Sequence, residues 1–369
     1  MKFLIIGAGS MGTRRVRTLL SLGYSPLDIT IYDNDTKKAE DAAKKYDIWW
    51  YDVMPNLILN KFDAVIISVP PLLKQKYISM CNDAETPCFA EADVTEYSGN
   101  YAASATMRFH PAIQKIKELL YSGTLGKVYT FTHHCGNHIE DWHPGANKKT
   151  YYAMTKEAGG CKEIFPFELS WLSYLFGTPI DAYGMIDKKL DDPDISADDV
   201  YCAAVKFASG EECIDKIMFK KNALSPDELQ KMVEELEQGK SVVEIPCKAS
   251  EVSWTTKQPS ITGTVLIDIV SRPAIRELRI AGSKANLIWN WDTDYIEIEQ
   301  SNDEISMIFY LKGKAAEGYN ENIPEFMYEQ EMQNFIAAIQ GKEQYLYPRE
   351  DEKACISMLN ELEVSCIKK

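Results

Sequence analysis

Long apolar runs, positive charge and paired cysteines are all scarce in this sequence of 369 residues. No stretch approaches the ~20 apolar residues that a membrane span needs. The first residues run straight into glycines, without the longer apolar region of a signal peptide. We therefore expect a cytoplasmic protein with no membrane partner. Lys and Arg number 40 against 55 Asp and Glu, a net charge of −15 that repels nucleic acid and excludes it as a general partner.

Metal-binding patterns are also scarce. The nine cysteines include no C-x-x-C pair, which favours reduced thiols over a disulfide framework or a zinc site. Four of the five histidines do fall between His133 and His143, together with a thiol and carboxylates that could bind a metal ion. However, His133 and His134 would point to opposite faces of a strand, and the spacing is irregular. We predict no metal here, and a loop that faces the substrate.

A glycine pattern stands between an apolar run and an amphipathic segment near the N-terminus. Phe3–Ile6 leads into G-x-G-x-x-G, formed by Gly7, Ala8, Gly9, Ser10, Met11 and Gly12. Gly7 allows a tight turn, Gly9 lets a pyrophosphate approach the backbone, and Gly12 lets helix and strand pack closely. The start of the helix supplies free N–H groups to the phosphates. This order predicts a dinucleotide site that includes Ser10 and Met11.

An acidic residue follows at the spacing that is typical of NAD binding. A second apolar run, Ile29–Tyr32, ends on Asp33, which lies 21 residues after Gly12. A carboxylate there accepts the ribose hydroxyls of NAD and repels the extra phosphate of NADP. We therefore predict NAD as the cofactor. The remaining cofactor-binding residues are predicted at the ends of this and the later strands: Asn34, Ser68, Val69, Pro70 and Glu91.

Strands and helices continue to alternate to about residue 109, with helices near 36–46 and 72–84. The alternation predicts a doubly wound parallel sheet in an α/β fold. Later in the chain, strand-like runs extend from 128–134 to 306–311, and helices are predicted at 111–122, 167–176, 325–340 and 349–367.

Several motifs together resemble a known family, the glucose–fructose oxidoreductase / inositol dehydrogenase / rhizopine-catabolism (Gfo/Idh/MocA) oxidoreductases. They are Ser68-Val69-Pro70-Pro71, Glu91-Ala92-Asp93, Met107-Arg108-Phe109-His110-Pro111, Asp141-Trp142-His143-Pro144, Gly159-Gly160, Val270-Ser271-Arg272-Pro273 and Glu331-Met332-Gln333-Asn334-Phe335. The resemblance covers nearly the whole length. It implies a Rossmann domain at 1–109, followed at 110–369 by a substrate-binding and oligomerisation α/β domain with a large, open, mostly antiparallel sheet.

One segment of the second domain is longer than the family pattern, at about 211–260. Ser225 and Glu228 form a capping box with a proline at the first helical position, which predicts a helix inside this insertion. The simplest interpretation is a helix packed on its own domain. A subunit contact or a lid over the site is the alternative.

The chain departs from the family at two catalytic positions. The resemblance implies Glu-Lys-Pro after the fifth strand, with its lysine beside the nicotinamide, but this sequence has Ala92 there. It also implies an aspartate and a histidine after the glycine pair, where this chain has Ile164 and Phe167, or Phe165 and Glu168. Only nine residues, 94–102, separate Asp93 from the next apolar run. That length is short for a parallel crossover, so we expect a remodelled sheet edge.

A replacement proton acceptor is therefore expected among nearby polar residues. Lys162 is the preferred candidate, because burial lowers the pKa of a lysine. The alternative interpretation for Lys162 is an ion pair with a neighbouring acid. His143 and Tyr152 come next as catalytic candidates. The predicted substrate-binding residues are Arg108, Asp141, Glu163 and Glu168.

These features predict an NAD-dependent oxidoreductase that moves hydride to or from a sugar or sugar-acid derivative. Two alternatives remain: an isomerase or lyase that reduces bound NAD transiently, and a catalytically silent binding or regulatory protein. The run 265–270 is apolar on both faces, and an exposed apolar face needs a partner. We therefore predict a homodimer or homotetramer formed through the open sheet, as the resemblance also implies.

Overall fold

The computed structural model describes residues 1–142, 147–149, 151–208, 260–300, 304–315 and 323–367. The predicted insertion at about 211–260, with its helix, lies outside the described residues apart from its last position, and so does His143. No helix among the described residues is long and apolar enough to cross a membrane.

The N-terminal part of the chain forms a parallel sheet of six strands in the order β3-β2-β1-β4-β5-β6. The strands are β1 (Phe3–Ile6), β2 (Ile29–Tyr32), β3 (Trp49–Tyr51), β4 (Ala64–Ile67), β5 (Cys88–Ala90) and β6 (Ala102–Ala103). The helices between them are α1 (Ser10–Ser21), α2 (Thr36–Tyr46) and α3 (Lys74–Asp83). Strands β1 and β4 are buried at every position, as a parallel sheet covered on both faces requires. The predicted doubly wound sheet is confirmed.

The far edge of this sheet is remodelled. Strand β6 has two residues and pairs in parallel with β5, and the crossover between them contains no helix. The chain instead passes through turns, with the side chain of Asp93 accepting the N–H of Val94. The crossover from β5 to β6, which the sequence predicted to be short, therefore lacks the helix of a regular βαβ unit.

The second sheet has eight strands in the order β14-β13-β12-β11-β7-β10-β9-β8. They are β7 (Val128–Gly136), β8 (Pro179–Asp187), β9 (Val200–Phe207), β10 (Ile261–Asp268), β11 (Ile275–Gly282), β12 (Ala285–Asn290), β13 (Tyr295–Gln300) and β14 (Ile305–Phe309). Strands β7 and β10 run parallel, and the other pairs are antiparallel. The predicted open, mostly antiparallel sheet is confirmed.

Five further helices are α4 (Pro111–Tyr121), α5 (Ile139–Trp142), α6 (Cys161–Phe176), α7 (Glu325–Ile339) and α8 (Arg349–Ile367). Helix α6 begins six residues before the predicted start at 167 and accommodates Pro166 in its interior. Helix α7 packs against α1, and its Met332, Phe335 and Ile336 complete the core of the first sheet. A segment from the end of the chain therefore closes the N-terminal core.

The outer face of the second sheet is more polar than the sequence suggested. On β10, Val265 and Ile267 are buried, and the positions that face outward are Thr262, Thr264 and the half-buried Leu266. Apart from Tyr129 on β7, the exposed large apolar side chains of this sheet lie on its two edge strands, and they include Tyr183 and Met185 on β8 and Ile305, Met307 and Phe309 on β14.

Candidate functional site

The glycine turn between β1 and α1 is tightly packed at Gly7 and Gly12 and open at Gly9. Gly7 has a φ of +103°, and a Cβ added to it would lie 2.3 Å from the carbonyl oxygen of Ser68. A Cβ on Gly12 would lie 1.8 Å from the carbonyl oxygen of Gly7. Around Gly9 there is open space, with nothing within 4 Å of a Cβ. No side chain caps the start of α1. The turn therefore fits a pyrophosphate, whose oxygens would meet the backbone N–H groups of Ser10 and Met11 at the start of α1.

The acidic residue after β2 lies beside this turn. Asp33 accepts the backbone N–H of Ala8 at 2.7 Å and that of Asp35 at 2.9 Å. Asn34 follows it and turns the chain by accepting the same Asp35 N–H at 3.0 Å. The structure thus brings the Asp33 carboxylate next to the glycine turn, where the ribose of a dinucleotide would be expected.

The ends of β4 and β5 continue the same edge of the sheet. Ser68 is followed by Val69 and Pro70, and its hydroxyl donates to Glu91 at 3.1 Å. Glu91 also receives two hydrogen bonds from Arg15, at 2.8 and 2.9 Å. Burial raises the pKa of Glu91, but the Arg15 guanidinium outweighs that effect, so the pKa lies below its usual value. Glu91 is therefore a charged group held in place by α1.

A buried lysine that the sequence analysis missed lies at the end of β5. The Nζ atom of Lys74 donates to the carbonyl oxygens of Glu91 and Ala92 at 2.9 and 2.8 Å and lies 2.6 Å from the Asp93 carboxylate. Tyr97 also hydrogen-bonds to Asp93. Lys74 and Asp93 are both almost fully buried. The sequence does not distinguish Lys74 from the exposed Lys76 on the same helix, because tertiary packing decides which face of the helix is covered.

Glu163 and Tyr152 face this cluster. The Tyr152 hydroxyl donates to Oε1 of Glu163 at 2.8 Å, while the buried Oε2 has no hydrogen-bond partner among the described residues. Pro166, Phe167 and Ser170 line one small cavity with Ala92 and Asp93. Glu163 precedes Pro166 and Phe167 by three and four residues, so it lies on the same helix face. Glu163 therefore lies on the face of α6 that lines this cavity beside Ala92, one helical turn before Pro166 and Phe167.

The Glu163 carboxyl has a pKa raised to about 7. Burial is the main cause, because it disfavours the charged form. The hydrogen bond from Tyr152 and the charge of Lys74 act in the opposite direction, while the charge of Asp93 raises the pKa further. A carboxyl group with these properties can accept and release a proton near neutral pH.

Family models match both parts of the chain. A model described as an oxidoreductase family with an NAD-binding Rossmann fold matches residues 1–96. A model of the GFO/IDH/MocA C-terminal domain matches residues 113–216, and the two matches together cover more than half of the chain. The chain belongs to the Gfo/Idh/MocA family. Its first domain is an NAD-binding Rossmann domain, as the glycine turn and Asp33 predicted.

Solved structures of several oxidoreductases share the fold over the whole length. A putative NADPH-dependent oxidoreductase from Desulfitobacterium hafniense has a TM-score of 0.71 and 13% identity, over 100% of this chain and 95% of that one. Levoglucosan dehydrogenase with NADH and levoglucosan has a TM-score of 0.70 and 12% identity, over 100% and 97%. A putative myo-inositol dehydrogenase from Sinorhizobium meliloti has a TM-score of 0.66 and 15% identity, over 100% and 98%. No curated protein sequence matches this one significantly.

Lys162 of this Gfo/Idh/MocA protein turns away from the Glu163 cluster. Its ammonium pairs with Glu363 on α8 at 2.8 Å, and Glu363 also accepts the hydroxyl of Tyr201 at 3.3 Å. The structure thus gives Lys162 the ion pair that was its alternative interpretation. Its role as the proton acceptor stays a prediction, for which the geometry offers no support.

Two residues predicted to bind substrate lie instead in the interior. Glu168 is fully buried and bonds to His133 at 2.9 Å, Trp171 at 2.8 Å and Arg276 at 2.6 Å. Burial raises the pKa of Glu168, but Arg276, followed by His133, outweighs it and lowers the pKa to about 2. Arg108 is also buried and binds the carbonyl oxygen of Ser170 at 2.7 Å. These contacts join strands and helices, and the substrate-binding role of both side chains stays a prediction.

The remaining predicted residues are at the end of β7 and beyond. Asp141 is half exposed and pairs with Arg272 at 2.5 Å. The predicted alternation of His133 and His134 is confirmed, because His133 is buried whereas His134 reaches Asp268 at 2.7 Å from the other face. Both lie on β7 and not in a loop. No group of His, Cys, Asp or Glu in the described part of the chain is arranged to hold a metal ion, and the seven cysteines there are free.

Proposed function

We propose that this protein transfers hydride between NAD and a carbinol carbon of a sugar or sugar-acid derivative, with Glu163 as the proton acceptor. The observation that carries the proposal is the Glu163 carboxyl, which has an oxygen without a hydrogen-bond partner among the described residues and a pKa of about 7. The substrate class is supported by the names of proteins with this fold, which include a levoglucosan dehydrogenase and a putative myo-inositol dehydrogenase.

In the proposed mechanism Glu163 is the general base and Tyr152 orients its carboxylate. NAD, when bound, supplies the hydride acceptor. Oε2 of Glu163 accepts the hydroxyl proton of the substrate, and the Tyr152 hydroxyl holds Oε1 and fixes the orientation of the carboxylate. A base works best when its pKa is close to the working pH, and the Glu163 carboxyl meets that condition. This assignment replaces Lys162 by its neighbour in the sequence.

The decisive experiment measures NADH formation with a panel of polyols, sugars and sugar acids, in parallel with solvent deuterium incorporation. Net NADH formation with at least one of them is the expected result. Turnover with deuterium incorporation but no net NADH would favour an isomerase or lyase that uses NAD transiently. Tight NAD binding with no turnover at all would favour a silent binding protein.

We expect the protein to prefer NAD to NADP. The Asp33 carboxylate lies beside the glycine turn, bonded to the N–H of Ala8 at 2.7 Å, and it would repel the extra phosphate. NADP should bind at least about tenfold more weakly than NAD, which corresponds to ~1.4 kcal/mol. Calorimetric titration of both cofactors measures this ratio, and Asp33→Ser should reduce it. Equal affinity in the wild-type protein would show that Asp33 does not contact the ribose.

We propose that the chain divides into domains at 1–109 and 110–369. We also expect a homodimer or homotetramer. The exposed apolar side chains of β8 and β14 lie on the outer face of the second sheet, where a second copy would cover them. Light scattering at micromolar concentration tests this. Tyr183→Lys with Met307→Lys should shift the mass towards the monomer, and a wild-type monomer would contradict the prediction.

A further inference from the structure

A lysine side chain from α3 contacts the backbone just after β5. Lys74, on α3, places its Nζ atom 2.9 and 2.8 Å from the carbonyl oxygens of Glu91 and Ala92. The Lys74 ammonium therefore lies against the backbone of Ala92, whose own side chain carries no charge. The Asp93 carboxylate lies 2.6 Å from the same Nζ atom, so one positive and one negative charge are buried together.

We propose that Lys74 and Asp93 are positioning residues, a buried charge pair that controls whether the Glu163 carboxyl is ionised. This inference rests on the proposed role of Glu163 as the base. Asp93, which holds the Lys74 ammonium at 2.6 Å, lines a small cavity with Pro166 and Phe167 of α6. Glu163 lies one helical turn before these two residues. Neither residue needs to touch the substrate, since each acts through the charge it presents to Glu163.

The two charges act on Glu163 in opposite directions. Lys74 lowers the Glu163 pKa and Asp93 raises it. Tyr152 donates to Oε1, and the neighbouring Tyr151 faces the same carboxyl. Burial remains the main cause, and the Glu163 pKa is raised to about 7. A charge near a buried carboxyl shifts its pKa, so removing either partner should change the ionisation of Glu163.

A purely structural role for Lys74 would give a different result. Lys74 also satisfies two backbone carbonyls, and its loss would destabilise the crossover after β5 whether or not it affects Glu163. A measurement of stability therefore cannot decide the question. The sign of the change in the Glu163 pKa can, because the charge-pair model requires opposite shifts when the cation and the anion are removed.

The test is a pH titration of full-length protein labelled with ¹³C at the glutamate carboxyl carbon, followed by NMR without substrate. Glu163→Gln identifies the signal of Glu163. We expect Lys74→Met to raise the Glu163 pKa by about one unit or more and Asp93→Asn to lower it by a similar amount, as expected for loss of a nearby charge. The double variant should return close to the wild-type value. Lys76→Met, on the exposed face of α3, is the matched control and should cause no shift.

The outcomes separate this inference from the proposed function. Shifts of the same sign in the two single variants, or no shift in either, would overturn the charge pair. If Lys74→Met does not fold, the downward shift in Asp93→Asn decides alone, because a structural role for the pair predicts none. Where turnover is measurable, the acid limb of the pH dependence of kcat should move with the NMR pKa. A limb that stays fixed while the NMR signal moves would refute Glu163 as the base and leave the charge pair standing.

Discussion

We expect Glu163→Gln to lower kcat by about 10²–10⁴-fold, which is the range that a general base contributes. The dissociation constant of NADH should remain nearly unchanged, because the glycine turn and Asp33 are not altered. Glutamine keeps the size of the side chain and can still accept the hydrogen bond from Tyr152 at Oε1. It cannot accept a proton at neutral pH, so the variant removes the general base and keeps the size of the side chain and its hydrogen bond. Steady-state kinetics and NADH titration measure the two quantities.

Two comparison variants make this result specific. Glu157→Gln removes a carboxylate at an exposed position six residues earlier and should leave kcat unchanged. Lys162→Met should also retain activity, because the Lys162 ammonium pairs with Glu363 on α8. Loss of turnover in Lys162→Met together with normal activity in Glu163→Gln would reverse the assignment and restore Lys162 as the proton acceptor.

The same residue should leave a signature in the pH dependence of stability. The Glu163 pKa is about 7 in the folded protein, compared with 4.5 for an ordinary glutamate. The folded state therefore binds the proton more tightly, so this group's contribution to stability is lost as the pH rises from about 4.5 through 7. Relative to Glu163→Gln, the wild-type protein should lose on the order of 3 kcal/mol over that interval. Equal pH dependence in denaturant titrations of both proteins would contradict the raised pKa.

We expect Arg15→Met to destabilise the protein by about 3–5 kcal/mol, the cost of removing one partner from a buried ion pair. Arg15 is fully buried between Glu91, at 2.8 Å, and Glu331, also at 2.8 Å. Without the guanidinium, two carboxylates that join β5 and α7 lose their positive partner. The loss should be largest at neutral pH and smaller near pH 5, because protonation of the carboxyls then removes the uncompensated charge.

The measurement is the free energy of unfolding by denaturant at several pH values. Arg17→Met, on the same helix, is the matched control. Its pair with Glu325 is longer, at 3.5 Å, and the Arg17 side chain is 26% exposed, so a loss of about 1 kcal/mol or less is expected. Adding Glu331→Gln to Arg15→Met should recover part of the lost stability. A loss in Arg15→Met no larger than in Arg17→Met would show that the buried pair does not stabilise the fold.

Much of the fold could be predicted because its signals are local. The glycine turn needs Gly7 and Gly12 for steric reasons that hold wherever this strand–turn–helix unit occurs. The helices after β2 and β4 were predicted to within about two residues, because turn residues and apolar periodicity mark their ends. The start of α6 was missed, because Pro166 inside the helix carries the same signal as a proline at a boundary.

The polar residues of the site were harder to predict. Glu168 and Arg108 stand in apolar segments, as catalytic residues often do, but their partners are Arg276 and Asp351, which lie far away in the sequence. Charged side chains buried by mutual pairing and charged side chains buried for catalysis therefore look alike until the partners are known.

The sequence by itself determined the parallel first sheet and the cofactor turn with Asp33, because both depend on residue type and short-range spacing. The resemblance to the family implied the open second sheet and a lysine at the position of Ala92. Tertiary structure alone decided that Lys162 pairs with Glu363 on α8 while Glu163 accepts a hydrogen bond from Tyr152. It also decided that Lys74 is buried and Lys76 exposed. Neighbouring residues on a helix point in directions about 100° apart, so a difference of one or two positions changes the partner completely. Which direction meets the site depends on how α3 and α6 pack against β5, and that packing is set by apolar contacts spread along the whole chain.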